Sequence, residues 1–119
     1  MIATVSKDFP LSYSHRLTGL PDGHRCARIH GHNAVVRVEL TGPVDPLGFV
    51  IDYGDLAPLA AWLDATLDHR HLNDVVDFNP TAELLAHYVY QWCAAMPWPI
   101  AAVSWSETPK TCATYRGPR

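Results

Sequence analysis

Strict alternation marks the second quarter of the chain. Through His30-Gly31-His32-Asn33-Ala34-Val35-Val36-Arg37-Val38-Glu39-Leu40-Thr41, the apolar side chains Ala34, Val36, Val38 and Leu40 share one parity with the two histidines, while Arg37, Glu39 and Thr41 take the other. A period of two predicts a half-buried strand running through the histidines to about Thr41. An earlier strand is predicted over Ile2 to Tyr13, interrupted near Pro10, with Thr18-Gly19-Leu20-Pro21-Asp22-Gly23 as the loop that returns toward Cys26. Gly42-Pro43 ends the second strand, and Asp45-Pro46-Leu47-Gly48 turns the chain again before Phe49-Val50-Ile51.

From about Asp55 the period changes. Leu56, Leu59, Ala60, Leu63 and Leu67 recur at helical spacing, and Pro58 is tolerable only in the first turn. Asn79-Pro80 reads as an N-cap followed by proline at the first helical position, with Leu85, Tyr88, Val89, Trp92 and Met96 as the buried stripe of a second helix. Ile100 to Ser106 and Thr111 to Tyr115 alternate as two strands around the turn Glu107-Thr108-Pro109-Lys110. The order strand, strand, helix, helix, strand, strand predicts an α+β fold, a four-stranded antiparallel sheet with two helices on one face. It is read as one domain over residues 1–119, and the two free sheet edges predict self-association into a closed barrel.

Composition narrows the partners. A net charge of −3 with neutral histidines gives no basic field for nucleic acid. Met1-Ile2-Ala3-Thr4-Val5-Ser6-Lys7-Asp8 has no apolar or basic leader, and no apolar stretch approaches bilayer length, so a soluble cytoplasmic protein without membrane contact is expected. Three widely spaced cysteines, Cys26, Cys93 and Cys112, suit a reducing compartment.

The chemistry concentrates early. Residues i and i+2 of a strand share a face, so His30 and His32 can reach one ion, with His15 as a third candidate ligand and Cys26 as a candidate reactive thiol. Neutral imidazoles suit Zn²⁺, and three of them leave a fourth tetrahedral position open to substrate or water, which implies catalysis more than scaffolding. The plainer possibility is a set of polar residues at a strand entrance. Cys93 and Cys112 read as small apolar side chains of a helix and a strand. His24 and His87 read as surface residues, and the pair His30-Gly31-His32 lacks the His-Glu-x-x-His helix of metalloproteases.

Taken together, Lys7-Asp8-Phe9, His15-Arg16-Leu17, Gly23-His24-Arg25-Cys26, His30-Gly31-His32-Asn33, Val50-Ile51-Asp52-Tyr53, Leu67-Asp68-His69, Leu72-Asn73, Asn79-Pro80-Thr81-Ala82-Glu83, Glu107-Thr108 and Tyr115-Arg116-Gly117 resemble the 6-pyruvoyl-tetrahydropterin synthase superfamily. Within it the resemblance is nearest to the 6-carboxytetrahydropterin synthase branch of the 7-deazapurine (queuosine) pathway. It implies the tunnelling fold, trimers or hexamers with active sites between subunits, and a zinc ion on His15, His30 and His32. It further implies that Cys26 is catalytic, that Asp68 and His69 join the cysteine of another subunit in proton transfer, and that Glu107 anchors a pterin ring with help from Thr81 and Thr108. A carboxylate suits that anchor because the ring's 2-amino group and N3–H form a parallel donor pair.

The reaction so implied is zinc-dependent conversion of 7,8-dihydroneopterin triphosphate to 6-carboxy-5,6,7,8-tetrahydropterin, releasing acetaldehyde and triphosphate. The alternatives are triphosphate elimination of the 6-pyruvoyl type, or a pterin- or zinc-binding protein without turnover. On residues alone, Asp68 could be a turn residue, His69 a helix C-terminal charge and Thr81 a helix N-terminal residue. Arg25, Arg28 and Lys7 are candidates for attracting the triphosphate by charge. Leu11-Ser12-Tyr13-Ser14 departs from the resemblance, where small residues usually precede the first histidine, so Tyr13 and Ser14 are expected to narrow the site or alter its contacts.

Overall fold

The computed structural model describes residues 1–118. Strand β1 (Ile2–His15) pairs antiparallel with β2 (His30–Pro43) in one register from Ile2 opposite Pro43 to His15 opposite His30. Pro10 does not interrupt β1, contrary to the sequence expectation. The strand outside β1, β3 (Arg70–His71), pairs only with Tyr13 and Ser14, so Pro10 lies on an edge, where a missing N–H is tolerated.

The sheet has five strands in the order β3-β1-β2-β4-β5, with β4 (Ile100–Thr108) and β5 (Thr111–Tyr115) completing it. Because β3 runs parallel to β1 and the other pairs are antiparallel, the sheet is mixed, which corrects the expected four-stranded antiparallel arrangement. Two residues are too few to show an alternation. Strand β4 also runs two residues further than expected, through Glu107 and Thr108, leaving only Pro109-Lys110 as the turn. Its pairing with β5 shifts register between Trp105 and Thr108, a bulge of the kind that re-aims side chains.

Both helices lie on one face. Asp52 caps a 3₁₀ turn, Tyr53–Leu56, by accepting from the Gly54 N–H at 2.9 Å, and helix α1 (Ala57–Thr66) follows with Pro58 in its first turn. Helix α2 (Ala82–Ala94) is capped by Thr81, whose hydroxyl accepts from the Leu84 N–H, and not by Asn79, whose amide is engaged by Thr18. Its buried stripe is Leu85, Ala86, Val89 and Cys93, while Tyr88 and Trp92 are half-buried and Met96 lies beyond the helix end. Trp62 of α1 stacks on Trp92 at 4.8 Å between ring centroids and joins the two helices.

The core fills the space between helices and sheet. Leu59, Leu63 and Leu67 meet Phe9, Leu11, Val36, Val38 and Leu40, with Val103 and Trp105 from β4. The opposite sheet face is polar, with Arg37 and Asp8 paired through two bonds of 2.7 and 3.1 Å and Ser104 bonded to Thr114. Among the described residues no helix is long and apolar enough to cross a membrane.

Candidate metal centre and active site

The antiparallel register sets His15 directly opposite His30 and Tyr13 opposite His32, so one face of a single hairpin carries all three histidines. A side chain on Gly31 would meet the Tyr13 carbonyl oxygen at 3.3 Å, so the glycine lets the two strands close at this point. The ligand nitrogens of His15, His30 and His32 lie within 4.8 Å of one another.

Backbone carbonyls determine which nitrogen faces inward. His15 Nδ1–H donates to the Pro80 carbonyl at 2.9 Å, and His30 Nδ1–H donates to the Arg28 carbonyl at 2.8 Å. Each Nε2 is then a bare acceptor, and these two lie 3.0 Å apart. Two lone pairs at that separation repel unless a cation lies between them. His32 Nε2 is buried without a hydrogen-bond partner, and Glu107 Oε2 stands 3.3 Å away, close in charge but outside hydrogen-bond geometry. Burial pushes the His15 imidazole down to about 4, against the bond to Pro80 and in concert with the neighbouring imidazoles; burial also lowers His32, with Glu107 opposing. All three residues thus fit a divalent ion, since their ring nitrogens converge and the His32 Nε2 among them is left without a partner.

A cavity of about 410 Å³ opens on this cluster, lined by Arg25, Cys26, His30, His32, Glu107, Thr108 and Thr111. Cys26 sits in a 3₁₀ turn, Arg25–Ala27, whose N-cap is His24; its Nδ1 accepts from the Cys26 N–H at 3.1 Å. The histidine expected to be mere surface therefore shapes the turn that carries the thiol. The bulge in β4 places Glu107 between this cavity and a neighbouring one of about 530 Å³ lined by Leu17, Thr81, Glu83 and Trp105. Thr81 and Thr108 thus flank Glu107 from two sides. Of the basic candidates, Arg25 lines the cavity, Arg28 contributes its carbonyl to His30, and Lys7 lies over the Phe9 ring.

Asp68 and His69 are not brought to Cys26 within the chain. Asp68 accepts from the Ser12 N–H at 2.9 Å and from His69 Nδ1–H at 2.8 Å, and the Ser12 bond is the first cause that holds its carboxyl below the ordinary range. His69 adopts φ 57°, unusual for a non-glycine residue, while its backbone N–H bonds the Ser12 carbonyl. Its ring is 81% exposed, on a cleft formed by Ser12, Tyr13, Ser14, Arg70 and His71. A strained backbone that presents a carboxylate-oriented imidazole to the outside suits a partner beyond the chain.

The family model for 6-pyruvoyl tetrahydropterin synthase matches residues 4–118. The chain belongs to this family. An Archaeoglobus fulgidus relative with the provisional name 6-carboxy-5,6,7,8-tetrahydropterin synthase is 35% identical over 83 residues, covering 70% of this chain and 67% of its own. A Caenorhabditis elegans relative, provisionally named 6-pyruvoyl tetrahydrobiopterin synthase, is 36% identical over 96 residues, covering 74% of this chain and 69% of its own. The solved structure of Caenorhabditis elegans 6-pyruvoyl tetrahydropterin synthase superposes with a TM-score of 0.88 at 34% identity, over 99% of this chain and 97% of that one. Membership in the synthase family places the chain among pterin-processing enzymes.

The sequence marks Tyr13 as a residue that narrows the site or alters its contacts, but does not show that its hydroxyl accepts from Trp105 Nε1–H at 3.0 Å, and it carries no sign of the carbonyls of Pro80 and Arg28. Main-chain tethers leave no mark in side-chain pattern.

Proposed function

We propose that the protein is a zinc-dependent 6-carboxy-5,6,7,8-tetrahydropterin synthase acting on 7,8-dihydroneopterin triphosphate, with loss of acetaldehyde and triphosphate, in 7-deazapurine (queuosine-type) biosynthesis. The observation that carries it is the convergence of the His15, His30 and His32 ligand nitrogens beside the cavity holding Cys26 and Glu107. A divalent ion held by these imidazoles would supply Lewis acidity toward oxygens of the substrate side chain.

The remaining roles belong to the chain itself. Glu107 accepts the paired donors of the pterin ring, which orients the six-position side chain toward the histidines, with Thr81 and Thr108 at either side. Cys26 Sγ takes and returns protons at the side-chain carbons. Asp68 fixes the His69 tautomer through Nδ1, leaving Nε2 to exchange protons with a site on a neighbouring subunit. Bond cleavage between the side-chain carbons then follows as a retro-aldol-type step.

Triphosphate elimination with the side-chain carbons kept is the second reading, favoured by the 36% identity to the Caenorhabditis elegans relative and its pyruvoyl name. Mass spectrometry of products from zinc-loaded protein and 7,8-dihydroneopterin triphosphate separates the two. Carboxytetrahydropterin with acetaldehyde supports the first reading, and a pyruvoyl product replaces it with the second. Unchanged substrate sinks both.

A further inference from the structure

We propose that Tyr13 is a positioning residue of the metal centre, the wall that holds His32 in its ligating orientation. The inference rests on the reading that His15, His30 and His32 share one ion. Two of those imidazoles are fixed by carbonyls, His15 by Pro80 and His30 by Arg28. Among the described residues no carbonyl holds His32. Its side chain stands on a strand with two free torsions, and a half-turn of the ring would put Cε1 where Nε2 stands and take the ligating nitrogen off the ion.

The surroundings of His32 supply the missing constraint. Tyr13 is its direct cross-strand partner, with ring centroids 5.7 Å apart and planes inclined at 55°. The same phenol ring meets His15 edge-on at 5.2 Å, so one wall touches two ligands. Tyr13 is itself immobilised at both ends. Its backbone lies in β1, and its hydroxyl accepts from Trp105 Nε1–H at 3.0 Å, with Trp105 fully buried. A ring locked in this way limits the rotations of the imidazole beside it, as supporting contacts around a metal site do.

A residue that merely fills the core would not need to be aromatic. Metal-free wild type, Tyr13→Phe and Tyr13→Leu are titrated with Co²⁺ in competition with a chelator, and the visible absorption of the bound ion is recorded alongside circular dichroism. Tyr13→Phe keeps the wall and is expected to bind within about threefold of wild type. Tyr13→Leu keeps apolar bulk but not the plane, and is expected to bind at least about tenfold more weakly with an altered Co²⁺ spectrum. A folded Tyr13→Leu with wild-type affinity and spectrum overturns the proposal while leaving the metal reading intact. Failure of wild type to take up Co²⁺ overturns the metal reading and the proposal with it. Should Tyr13→Leu not fold, Tyr13→Met supplies a longer, flexible apolar side chain that also lacks the plane; weaker Co²⁺ binding with an altered spectrum supports the proposal, and unchanged affinity and spectrum overturn it.

Discussion

Each titratable side chain near the site is set by what it touches. His15 is 1% exposed and neutral in the fold, with its imidazole pushed from the ordinary 6.5 down to about 4, chiefly by burial. The folded chain therefore declines a proton that the unfolded chain accepts between those values. Where the unfolded state binds more protons, stability rises with pH. Metal-free protein is thus expected to lose stability progressively as pH falls from 6.5 toward about 4, and His15→Asn is expected to flatten that dependence. Urea midpoints at pH 7.5 and 5.0 check this; an unchanged wild-type midpoint would refute a buried neutral His15. The cysteines divide on the same principle. Burial pushes the Cys93 thiol up to about 12, whereas Cys112 lies exposed and Cys26 half-buried. Maleimide should modify Cys26 and Cys112 in the native chain and reach Cys93 only in denaturant, which intact mass and peptide mapping would show; native modification of Cys93 would contradict the packing of α2.

Between strands the site depends on a loop that two asparagines hold. Asn73 accepts from the Arg16 N–H and donates to the Arg16 carbonyl, both at 2.9 Å, and Asn79 engages Thr18 the same way at 2.9 and 3.3 Å. Each amide thus substitutes for a neighbouring strand. The Leu17 N–H in turn donates to the Cys26 carbonyl at 2.8 Å, so the clamp reaches the segment carrying the thiol. Asn73→Ala and Asn79→Ala are expected to cost about 1–2 kcal/mol each and to speed tryptic cleavage after Arg25 and Arg28, with Co²⁺ affinity reduced less than turnover. Cleavage at the wild-type rate would sink the idea. The elements themselves were largely legible. Alternation located β2, and helical spacing located α1 and α2, because burying one face leaves a period in the sequence. Asn79 was misplaced as a cap because its true partner, Thr18, is 61 positions away, and no local pattern records such a contact. The bulge between Trp105 and Thr108 escaped for a similar reason, since it exists only relative to β5. Strand β3 held too few residues for any period. The histidine cluster was legible because His-x-His on one strand needs only the pleat, but its carbonyl tethers were not.

At the level of the whole molecule the shape of the chain bears on the proposed self-association. Its extents of 57 × 29 × 25 Å and radius of gyration of 15.5 Å exceed the roughly 13 Å expected for a compact chain of this length. The elongation follows the 14-residue strands β1 and β2, and β5 and most of β1 remain open edges. Open edges invite pairing, and a polar sheet face opposite the helices can line the inside of a closed barrel without burying apolar surface. Closure would also resolve the division of the site. Cys26 and Glu107 share one cavity while the exposed ring of His69, oriented by Asp68, lies on another, so in the proposed function a second subunit would complete the set. That arrangement makes a specific expectation about mixtures. Cys26→Ala and His69→Ala should each be inactive alone. If the proton-transfer groups come from different subunits, refolding the two variants together at equal amounts should leave about one site in four with both groups intact, and activity should return to about a quarter of wild type. Turnover of co-refolded and separately refolded samples, with subunit exchange verified by native mass spectrometry, decides the matter. Co-assembled variants that stay inactive would place both groups in the same site of a single chain, and the outward-facing, strained His69 would then need another explanation.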